Sequence, residues 1–504
     1  MPTDAPLAHS FDVVVIGTGG AGLACAIEAA ARGARVAVLD ASDAVGGTAA
    51  GAGGGTCIAG SPLQERLGLA DSVDLALEDW ARWGGDTADL DWAEAYLRAS
   101  VPELFEPLAA AGVRWIGVNG HEGNRVPRWH RPAGGGRAVM AALERRARML
   151  PTIAWLLGHR VERLVLEGGR VTGVHARSGE REVELRARAV VVATGGFNND
   201  PEMVAEHATA AAGAERVLLG GGAGARGEGH RMLRDAGARF TELDAVWMYP
   251  YATPDDLDPE GRRGLALRGI DGDVWINDGG HRFHDESLRG GATGTAALLD
   301  QPNGRCWSVF DARIAARLVI ADPHYTDGST PIRKRVEAFL RRSPFVASAS
   351  SAAELAARID VDAVALGDAL SQVNSAVGAG AERDPVFGKP LAGLDALDEA
   401  PFFAVRLHPM ARKNLGGVRT DLACRVLDEH GRPIDGLFAA GEVAGMAGGR
   451  INGRAALEGR RSGRASTAAW SPAAASPADG PERDGLPCIR TSRTLHGRRR
   501  SRHP

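Results

Sequence analysis

The sequence has few cysteines and no long apolar run. Its five cysteines are scattered without CxxC or CxxCH spacing, which argues against an iron–sulfur cluster, a c-type haem or a structural zinc site. This usage fits a reducing compartment. No stretch of about 18 apolar residues occurs, and the first residues lack the basic start and apolar core of a signal peptide. We therefore expect no membrane span and a cytoplasmic location.

The chain also has little net charge. The 504 residues include 59 basic and 63 acidic side chains, a formal net charge of -4. This balance gives no reason to expect nucleic acid or an anionic membrane as a partner, and favours a small-molecule substrate. Hydrophobic residues are 44% and charged residues 24%, as in ordinary globular proteins. The length exceeds what one compact core supports, so we expect two domains.

The first forty residues predict a strand, a glycine turn, a helix and a second strand. Residues 12–16 form a short apolar run, as in a buried parallel strand, and residues 17–22 match GxGxxG. Residues 21–32 resemble an alanine-rich helix ending at Gly33, and residues 35–39 form a strand that delivers Asp40. This order is the context that a dinucleotide-binding motif requires.

Each part of this unit has a physical role. Gly17 permits the tight turn, Gly19 lets the backbone approach a pyrophosphate, and Gly22 lets the helix pack close to the strand. The helix N-terminus offers free amides and partial positive charge to phosphates, while Asp40 can accept hydrogen bonds from ribose hydroxyls. The predicted dinucleotide contacts are Gly17, Gly19, Gly20, Ala21, Gly22 and Asp40.

Glycine-ended segments recur along the chain. Residues 46–56 are so rich in glycine that something must lie against their backbone. Residues 190–197 and 436–442 are further apolar strands that end in glycine turns. The fingerprint alone does not separate NAD from FAD, but three such strands predict one extended cofactor held along its length.

Together these segments resemble a known family. Residues 12–40, the Gly-Gly-Thr loop at 46–48, Ala-Thr-Gly-Gly-Phe at 193–197, and residues 416–442 are similar to the fumarate reductase and succinate dehydrogenase flavoproteins. That family also contains 3-ketosteroid dehydrogenases, urocanate reductases and tricarballylate dehydrogenase. The resemblance implies an α/β fold, with a Rossmann-like FAD-binding domain of the glutathione-reductase type and an inserted α+β capping domain.

The resemblance also implies a domain division. Residues 1–243 and 392–459 would form the FAD-binding domain, and residues 244–391 the capping and substrate domain, including a helical run over 352–378. Residues 460–504 are rich in Arg, Pro and Ala and predict a disordered tail, whose composition fits either a natural basic tail or a region read out of frame.

The cofactor implied by the resemblance is FAD, bound non-covalently because no histidine lies between residues 46 and 64. Val161 would contact the adenine, Asn374 the flavin from the cap, and Glu442 the ribityl region. Backbone amides of Ala456 and Leu457 would face the flavin pyrimidine. The full set of further FAD contacts is Gly46, Gly47, Thr48, Gly53, Gly54, Val161, Ala193, Thr194, Gly195, Asn374, Gly441, Glu442, Ala456 and Leu457.

The family moves a hydride between flavin N5 and a carbon beside a carbonyl or carboxylate, while a protein group handles the proton on the neighbouring carbon. Cations are therefore needed for the polar end of the substrate, together with a proton donor or base. The resemblance implies six candidates, and a separate, unidentified electron donor or acceptor. The six are Tyr249, Arg268, Arg289, Arg412, Lys413 and Arg454.

Two departures from the family disfavour simple fumarate or succinate. Tyr249 stands where fumarate reductases have a carboxylate-binding histidine, and it brings no positive charge. In the family, a glutamate passes protons between the two arginines that correspond to Arg268 and Arg289, and Leu265 stands at the position of that glutamate. An arginine donates a proton usefully only if a relay restores it.

Two further cationic side chains lie near the C-terminal end of the segment that resembles the family. Lys413, one of three lysines, could bind a substrate carbonyl or act as a base, or could be a solvated loop lysine. Arg454 could hold a carboxylate with both guanidinium nitrogens, and we favour it over Arg450. The remaining alternatives are a flavin oxidase or monooxygenase, and a flavin-binding protein inactivated by its altered C-terminus.

Overall fold

The computed structural model describes residues 10–120, 122–327 and 330–454. Its strands, in chain order, are β1 (Ser10–Ile16), β2 (Val36–Asp40), β3 (Thr56–Cys57), β4 (Trp115–Asn119), β5 (Trp129–Pro132), β6 (Ile153–Leu157), β7 (Arg160–Glu167), β8 (Arg170–Ser178), β9 (Arg181–Val192), β10 (Leu218–Leu219), β11 (Phe240–Thr241), β12 (Val246–Pro254), β13 (Gly264–Arg268), β14 (Val274–Ile276), β15 (Cys306–Phe310), β16 (Val319–Ile320), β17 (Thr326–Asp327), β18 (Thr330–Pro331), β19 (Val346–Ala349), β20 (Phe402–Asn414), β21 (Gly417–Val418), β22 (Arg425–Leu427) and β23 (Pro433–Ala439).

Helices lie between these strands. In chain order they are α1 (Gly20–Ala31), α2 (Gly47–Ala50), α3 (Pro62–Arg66), α4 (Val73–Gly84), α5 (Leu90–Ala99), α6 (Glu106–Ala110), α7 (Gly135–Arg148), α8 (Pro201–His207), α9 (Glu228–Asp235), α10 (Ala296–Leu299), α11 (Ala312–Arg317), α12 (Arg333–Arg342), α13 (Ala352–Ile359) and α14 (Ala363–Gly378). None of them, within the described ranges, has the length and apolar character needed to cross a bilayer.

The first sheet has the order β22-β23-β9-β1-β2-β6, with β7 and β8 continuing from β9 as a hairpin. Strands β23, β9, β1, β2 and β6 run parallel, so their carboxyl ends share one edge. Val14 and Val15 are fully buried, as expected for a central strand covered on both faces. The predicted strand, turn, helix and strand are all present, and α1 is followed by Gly33 at φ +88°.

Alternating side chains of β1 face two different cores. Val13 and Val15 pack with helices α1, α4, α5 and α7, whereas Val14 and Ile16 pack with the β7–β9 meander and α9. This follows from the two-residue period of a strand. Because both faces are covered, the open part of the sheet is its carboxyl edge.

The second sheet has the order β14-β15-β20-β12-β13-β16, with β10 and β19 also pairing with β20. Its strands are antiparallel except for the β10–β20 pair, and they share one apolar core with α12, α13 and α14. Smaller sheets join β3 to β5 and β4, β11 to β21, and β17 to β18.

Two details differ from the sequence-based expectation. Strand β20 lies beyond the expected cap end at residue 391, yet it is central to the second sheet, so residues 402–414 belong with that sheet rather than with the FAD-domain sheet. The predicted helical run over 352–378 is two helices, because Asp360 adopts a left-handed φ of 56° and ends α13. The predicted tail over 460–504 lies outside the described residues.

Candidate functional site

A cleft opens at the carboxyl edge of the first sheet. The turn after β1, residues 193–195 after β9, and Gly441 after β23 all line it, together with Asp40 at the end of β2. Parallel strands place such ends side by side, and open α/β sheets bind their ligands there. The structure therefore brings together three glycine-ended segments that are far apart in the sequence.

Glycines in this cleft serve two different needs. A Cβ on Gly22 would lie 2.0 Å from the carbonyl oxygen of Gly17, and one on Gly17 would lie 2.5 Å from that of Ala193. These two positions are fixed by backbone packing. In contrast, Gly19 and Gly20 line the cleft and would meet no atom within 4 Å. Their exposed backbone at the start of α1 fits a phosphate group.

Asp40 fixes the turn while it faces the cleft. Its Oδ2 accepts hydrogen bonds from the backbone nitrogen and Oγ1 of Thr18, at 2.8 and 2.6 Å, and its Oδ1 accepts one from the nitrogen of Ser42 at 2.9 Å. A carboxylate offers about four acceptor positions, so capacity remains for a ribose hydroxyl. Ala21, Gly47, Thr48, Val161, Thr194 and Gly195 also line the cleft.

Glu442 joins the cleft to the second sheet. Its Oε1 accepts hydrogen bonds from the backbone nitrogen of Asn414 at 3.0 Å and from Nδ2 of Asn198 at 3.2 Å. Burial raises the pKa of Glu442, although the bond from Asn414 and the charges of Lys413 and Arg412 act in the opposite direction. A Cβ on Gly196 would lie 2.4 Å from Glu442 Oε1, so the glycine there makes room for the carboxylate.

Several predicted cofactor residues lie away from the cleft surface. Asn374 is bonded within the second domain, donating to the oxygen of Leu397 at 2.9 Å and accepting from its nitrogen at 2.7 Å, and its flavin contact remains a prediction. Gly46 donates to Thr18 Oγ1 at 3.3 Å and supports the loop behind the cleft.

Gly54 serves the packing of two loops. A Cβ on Gly54 would lie 2.6 Å from the nitrogen of Gly136, so close approach of backbone to backbone requires a glycine at this position. The FAD contacts of Gly53 and Gly54 remain predictions. Ala456 and Leu457 lie outside the described residues.

One wall of the cleft was not predicted from the sequence. The loop over residues 220–229 contains six glycines and contributes Ala223, Gly224, Arg226 and Glu228. Its glycine density is slightly higher than that of residues 46–56 and was a usable signal. His159, Arg160 and Met446 also line the cleft without any distinguishing sequence pattern.

A second group of polar residues surrounds two tyrosines. Tyr249 and Tyr251 of β12 are buried and stacked, with ring centroids 4.9 Å apart and planes at 18°. Burial, and next the neighbouring Tyr249, raise the pKa of Tyr251 well above its ordinary value, while Arg268, Arg289 and Arg412 act to lower it. The Tyr251 phenol therefore keeps its proton, and three predicted arginines lie close enough to act on it.

Of these three arginines, Arg268 has the fewest protein contacts that offset the burial of its positive charge. Burial lowers the pKa of its guanidinium, Tyr251 and Tyr249 act to raise it, and Arg412 lowers it further. Its Nε is buried and has no hydrogen-bond partner within the described ranges. A buried cation without a compensating anion is costly, so this position suits an anionic oxygen from a ligand.

The other predicted arginines are bonded to the protein. Arg289 forms an ion pair with Asp273, and Arg412 donates to the backbone oxygen of Gly220. Arg454 binds both carboxylate oxygens of Asp244 at 3.0 Å each. The expected carboxylate clamp at Arg454 is thus already held by Asp244.

The preference for Arg454 over Arg450 is not supported by this geometry. The buried Nε of Arg450 has no hydrogen-bond partner in the part of the chain that the structure describes, and its charge acts on Glu242. Lys413 is only 2% exposed, with Nζ 5.8 Å from the centroid of the Trp247 ring. It is therefore a buried lysine and not a solvated loop residue.

The fold and the cleft define a dinucleotide-binding protein with a second domain built on its own sheet. Residues 12–459 match the family model described as the FAD binding domain, and the chain belongs to this family. The cleft fits FAD, because Gly19, Gly20 and Gly195 line it and leave the space at their Cβ positions open. Among the described residues, no group of three or more His, Cys, Asp or Glu side chains is arranged to hold a metal ion.

Known relatives agree with this assignment. The chain is 31% identical to a KsdD-like steroid dehydrogenase of Mycobacterium tuberculosis, in an alignment that covers 89% of this chain and 92% of the relative. It is similar to the open conformation of a flavocytochrome c3 fumarate reductase, with 26% identity, a TM-score of 0.70 and coverage of 92% and 76%. It also matches a 3-ketosteroid-Δ4-(5α)-dehydrogenase of Rhodococcus jostii in complex with 4-androstene-3,17-dione, with 27% identity, a TM-score of 0.67 and coverage of 93% and 99%. The protein is an FAD-dependent oxidoreductase of the dehydrogenase and reductase type that acts on carbon–carbon bonds.

Proposed function

We propose that this protein oxidises or reduces the carbon–carbon bond next to a ketone, and that dicarboxylates are not its substrates. The observation that supports this is the group formed by Arg268, Tyr249 and Tyr251, in which one uncompensated guanidinium lies beside two buried phenols. The name of the M. tuberculosis relative supports a ketosteroid-like substrate.

The count of available cations favours a ketone. A dicarboxylate brings two negative charges, each of which needs a cation or several hydrogen-bond donors in a buried site. Arg289 and Arg454 already bind Asp273 and Asp244. Of the predicted arginines beside the tyrosine pair, Arg289 pairs with Asp273 and Arg412 donates to a backbone oxygen, which leaves Arg268 to bind a ligand and suits a single carbonyl oxygen.

Each side chain then has a defined task. The phenols of Tyr249 and Tyr251 donate hydrogen bonds to the carbonyl oxygen. Arg268 stabilises the negative charge that this oxygen gains when the adjacent carbon loses its proton. Lys413 is buried and acts on the cleft residue Glu442, so we assign to it the removal or return of this proton, while the hydride would leave from or arrive at the next carbon along.

The cleft residues would hold the cofactor. Residues 17–21 would cradle the pyrophosphate, and Asp40 would accept a ribose hydroxyl. Bound non-covalently, FAD would supply the acceptor or donor for the hydride. A separate electron donor or acceptor would complete turnover.

We infer a cytoplasmic location from the charge and cysteine usage.

Anaerobic flavin absorbance tests the substrate class. The oxidised holoenzyme is mixed with saturated ketosteroids or succinate, and the photoreduced holoenzyme with 4-androstene-3,17-dione or fumarate. We expect a steroid ketone to bleach or restore the flavin band, and the dicarboxylates to leave it unchanged at millimolar concentration. A faster response to succinate or fumarate would contradict the proposal, and faster reoxidation by air than by any enone would favour an oxidase.

Matched arginine variants test the site. Arg268→Gln removes the charge beside the tyrosines, and we expect kcat/KM for the responsive ketone to fall by roughly 10²–10³, the usual effect of losing an oxyanion donor. Arg454→Gln serves as the control, because that side chain is bonded to Asp244, and we expect less than about a threefold change. Equal losses in both variants, or a loss of FAD in Arg268→Gln, would contradict the assignment.

A further inference from the structure

The cleft has a recognisable adenosine end. In dinucleotide folds the acidic residue that follows the second strand faces the adenosine ribose, and here that residue is Asp40. The turn between β6 and β7 lies directly against it. The nitrogen of His159 donates to the backbone oxygen of Asp40 at 2.8 Å, and the nitrogen of Gly158 donates to that of Ser42 at 3.0 Å. Residues just after this turn therefore flank the adenosine half of the cofactor.

An ion pair crosses the cleft at this end. Arg160, the first residue of β7, and Glu228, the first residue of α9, both line the cleft. They belong to different walls, since Arg160 follows the β6–β7 turn and Glu228 lies near the C-terminal end of the glycine-rich loop over residues 220–229. The guanidinium of Arg160 donates to the carboxylate of Glu228 and so connects the two walls.

Stability alone does not account for this pair. The two side chains are 50% and 38% exposed, and exposed ion pairs contribute little to folding stability. Arg177 binds Glu162 and Glu182 on the same β7–β9 meander with comparable exposure, but none of these three residues lines the cleft. The property that distinguishes the Arg160–Glu228 pair is its position between the two walls.

The backbone of the wall that carries Glu228 is closely packed, because a Cβ on Gly222, Gly227 or Gly229 would lie 2.1, 2.0 or 1.9 Å from a neighbouring side chain. Opening at this end of the cleft therefore depends on the two exposed side chains of the ion pair rather than on the loop backbone. The ion pair ties the loop to the regular strand β7. We propose that Arg160 and Glu228 form an ionic clasp over the adenosine half of FAD, which must open before the cofactor leaves. This inference rests on FAD binding and does not depend on the substrate class.

Charge reversal tests the clasp. The holoenzyme is diluted, and released FAD is followed by the rise in flavin fluorescence for the wild type, Arg160→Glu, Glu228→Arg and the double exchange. Each single reversal replaces attraction by repulsion, and we expect FAD release to become about threefold to tenfold faster. The double exchange restores the opposite charges, and we expect release within twofold of the wild type.

Two controls separate the clasp from a general effect on folding. Arg177→Glu breaks the neighbouring pair away from the cleft and is expected to leave FAD release unchanged. FMN lacks the adenosine half, so its dissociation constant should agree within twofold among all variants. Added salt should accelerate FAD release from the wild type more than from either single variant, because it screens an exposed pair.

Three results would overturn the inference. They are wild-type release rates in both single variants, a double exchange that releases FAD as fast as the single variants, and an equal loss of FMN and FAD affinity. Failure of the ketone proposal would leave all of these measurements unaffected, because none of them involves a substrate.

Discussion

The cleft of the first domain and the interior of the second domain present polar groups in different ways. The cleft presents backbone, with Gly19, Gly20 and Gly195 open toward the ligand. The interior of the second domain instead contains a network of charged side chains that are at most 2% exposed. Its members are Asp273, Arg282, Glu286, Asp384 and Lys389.

The network is closely paired. Arg282 donates to both oxygens of Glu286 at 2.8 and 2.9 Å and lies 3.1 Å from Asp384. Lys389 lies 3.3 Å from Glu286 and also donates to the backbone oxygen of Asp273. Burial acts to raise the pKa of Glu286, but Lys389 and Arg282 hold it below its ordinary value.

The two regions are therefore sensitive to different kinds of substitution. A backbone cradle needs the absence of side chains, so adding one methyl group is enough to damage it. A buried ionic network needs every partner, so removing one partner leaves an uncompensated charge. Substitutions in the two regions should therefore separate cofactor binding from stability.

The largest effect is expected in the network. Glu286→Ala removes the carboxylate shared by Arg282 and Lys389, and we expect the free energy of unfolding to fall by about 3–5 kcal/mol. Urea unfolding measures this change, and FAD affinity of the folded fraction should stay at the wild-type value. Glu337→Ala, which removes the exposed partner of Arg341 in α12, is the control and should leave the midpoint unchanged. Equal midpoints for the two variants would remove the contrast between the regions.

A smaller loss of stability, but a loss of cofactor, is expected for Gly22→Ala. The new Cβ would lie 2.0 Å from the oxygen of Gly17, and such overpacking costs about 1–3 kcal/mol. We expect the ratio of flavin to protein to fall at least severalfold. Gly367→Ala in α14 meets no atom within 4 Å and should keep its FAD. Full FAD content in Gly22→Ala would show that the tight turn is dispensable.

The first domain has a buried ionic group of its own, in which Arg128 pairs with Asp71 and Asp79, and it also buries a neutral polar side chain. His230 is fully buried between Phe197 and Phe240, and burial lowers its pKa to about 3, with His207 as the next cause. Because the ordinary value is about 6.5, the unfolded chain binds more protons between these two pH values. The stabilising contribution is complete above pH 6.5 and is lost as the pH falls toward 3.

Urea midpoints at pH 7 and pH 5 test this effect. One pKa unit corresponds to about 1.36 kcal/mol, so His230 should account for a loss of roughly 2 kcal/mol over this interval. The variant His230→Phe should lose less stability than the wild type between these pH values, and His430→Phe in an exposed loop is the control. An unchanged dependence on pH in His230→Phe would count against a neutral His230.

The smallest effect on stability is expected at the contact between Arg454 and Asp244. Arg454→Ala breaks the exposed pair with Asp244, in which the two side chains are 53% and 41% exposed. Exposed pairs contribute about 0–1 kcal/mol, so thermal unfolding should shift by no more than a few degrees. A larger shift would indicate that this contact joins the two domains more firmly than its exposure suggests.

Much of the first domain could be predicted because its signals are local. The turn at Gly17, the helix after it and the strand ending in Asp40 lie within thirty residues, and each has a defined backbone requirement. The loop over 220–229 carried the same signal and could have been included. Asn374 could not be placed from the sequence, because its partner Leu397 belongs to a separate loop.

The family, the cofactor and the glycines of the turn after β1 follow from the residues alone, since a backbone turn is specified by the residues that form it. Which charges are available to a ligand depends on contacts that form only on folding. Arg454 meets Asp244 across 210 residues, whereas Arg268 is left beside two tyrosines. An isolated charge and a paired one have the same letter in the sequence, and their difference arises only when folding brings distant partners together.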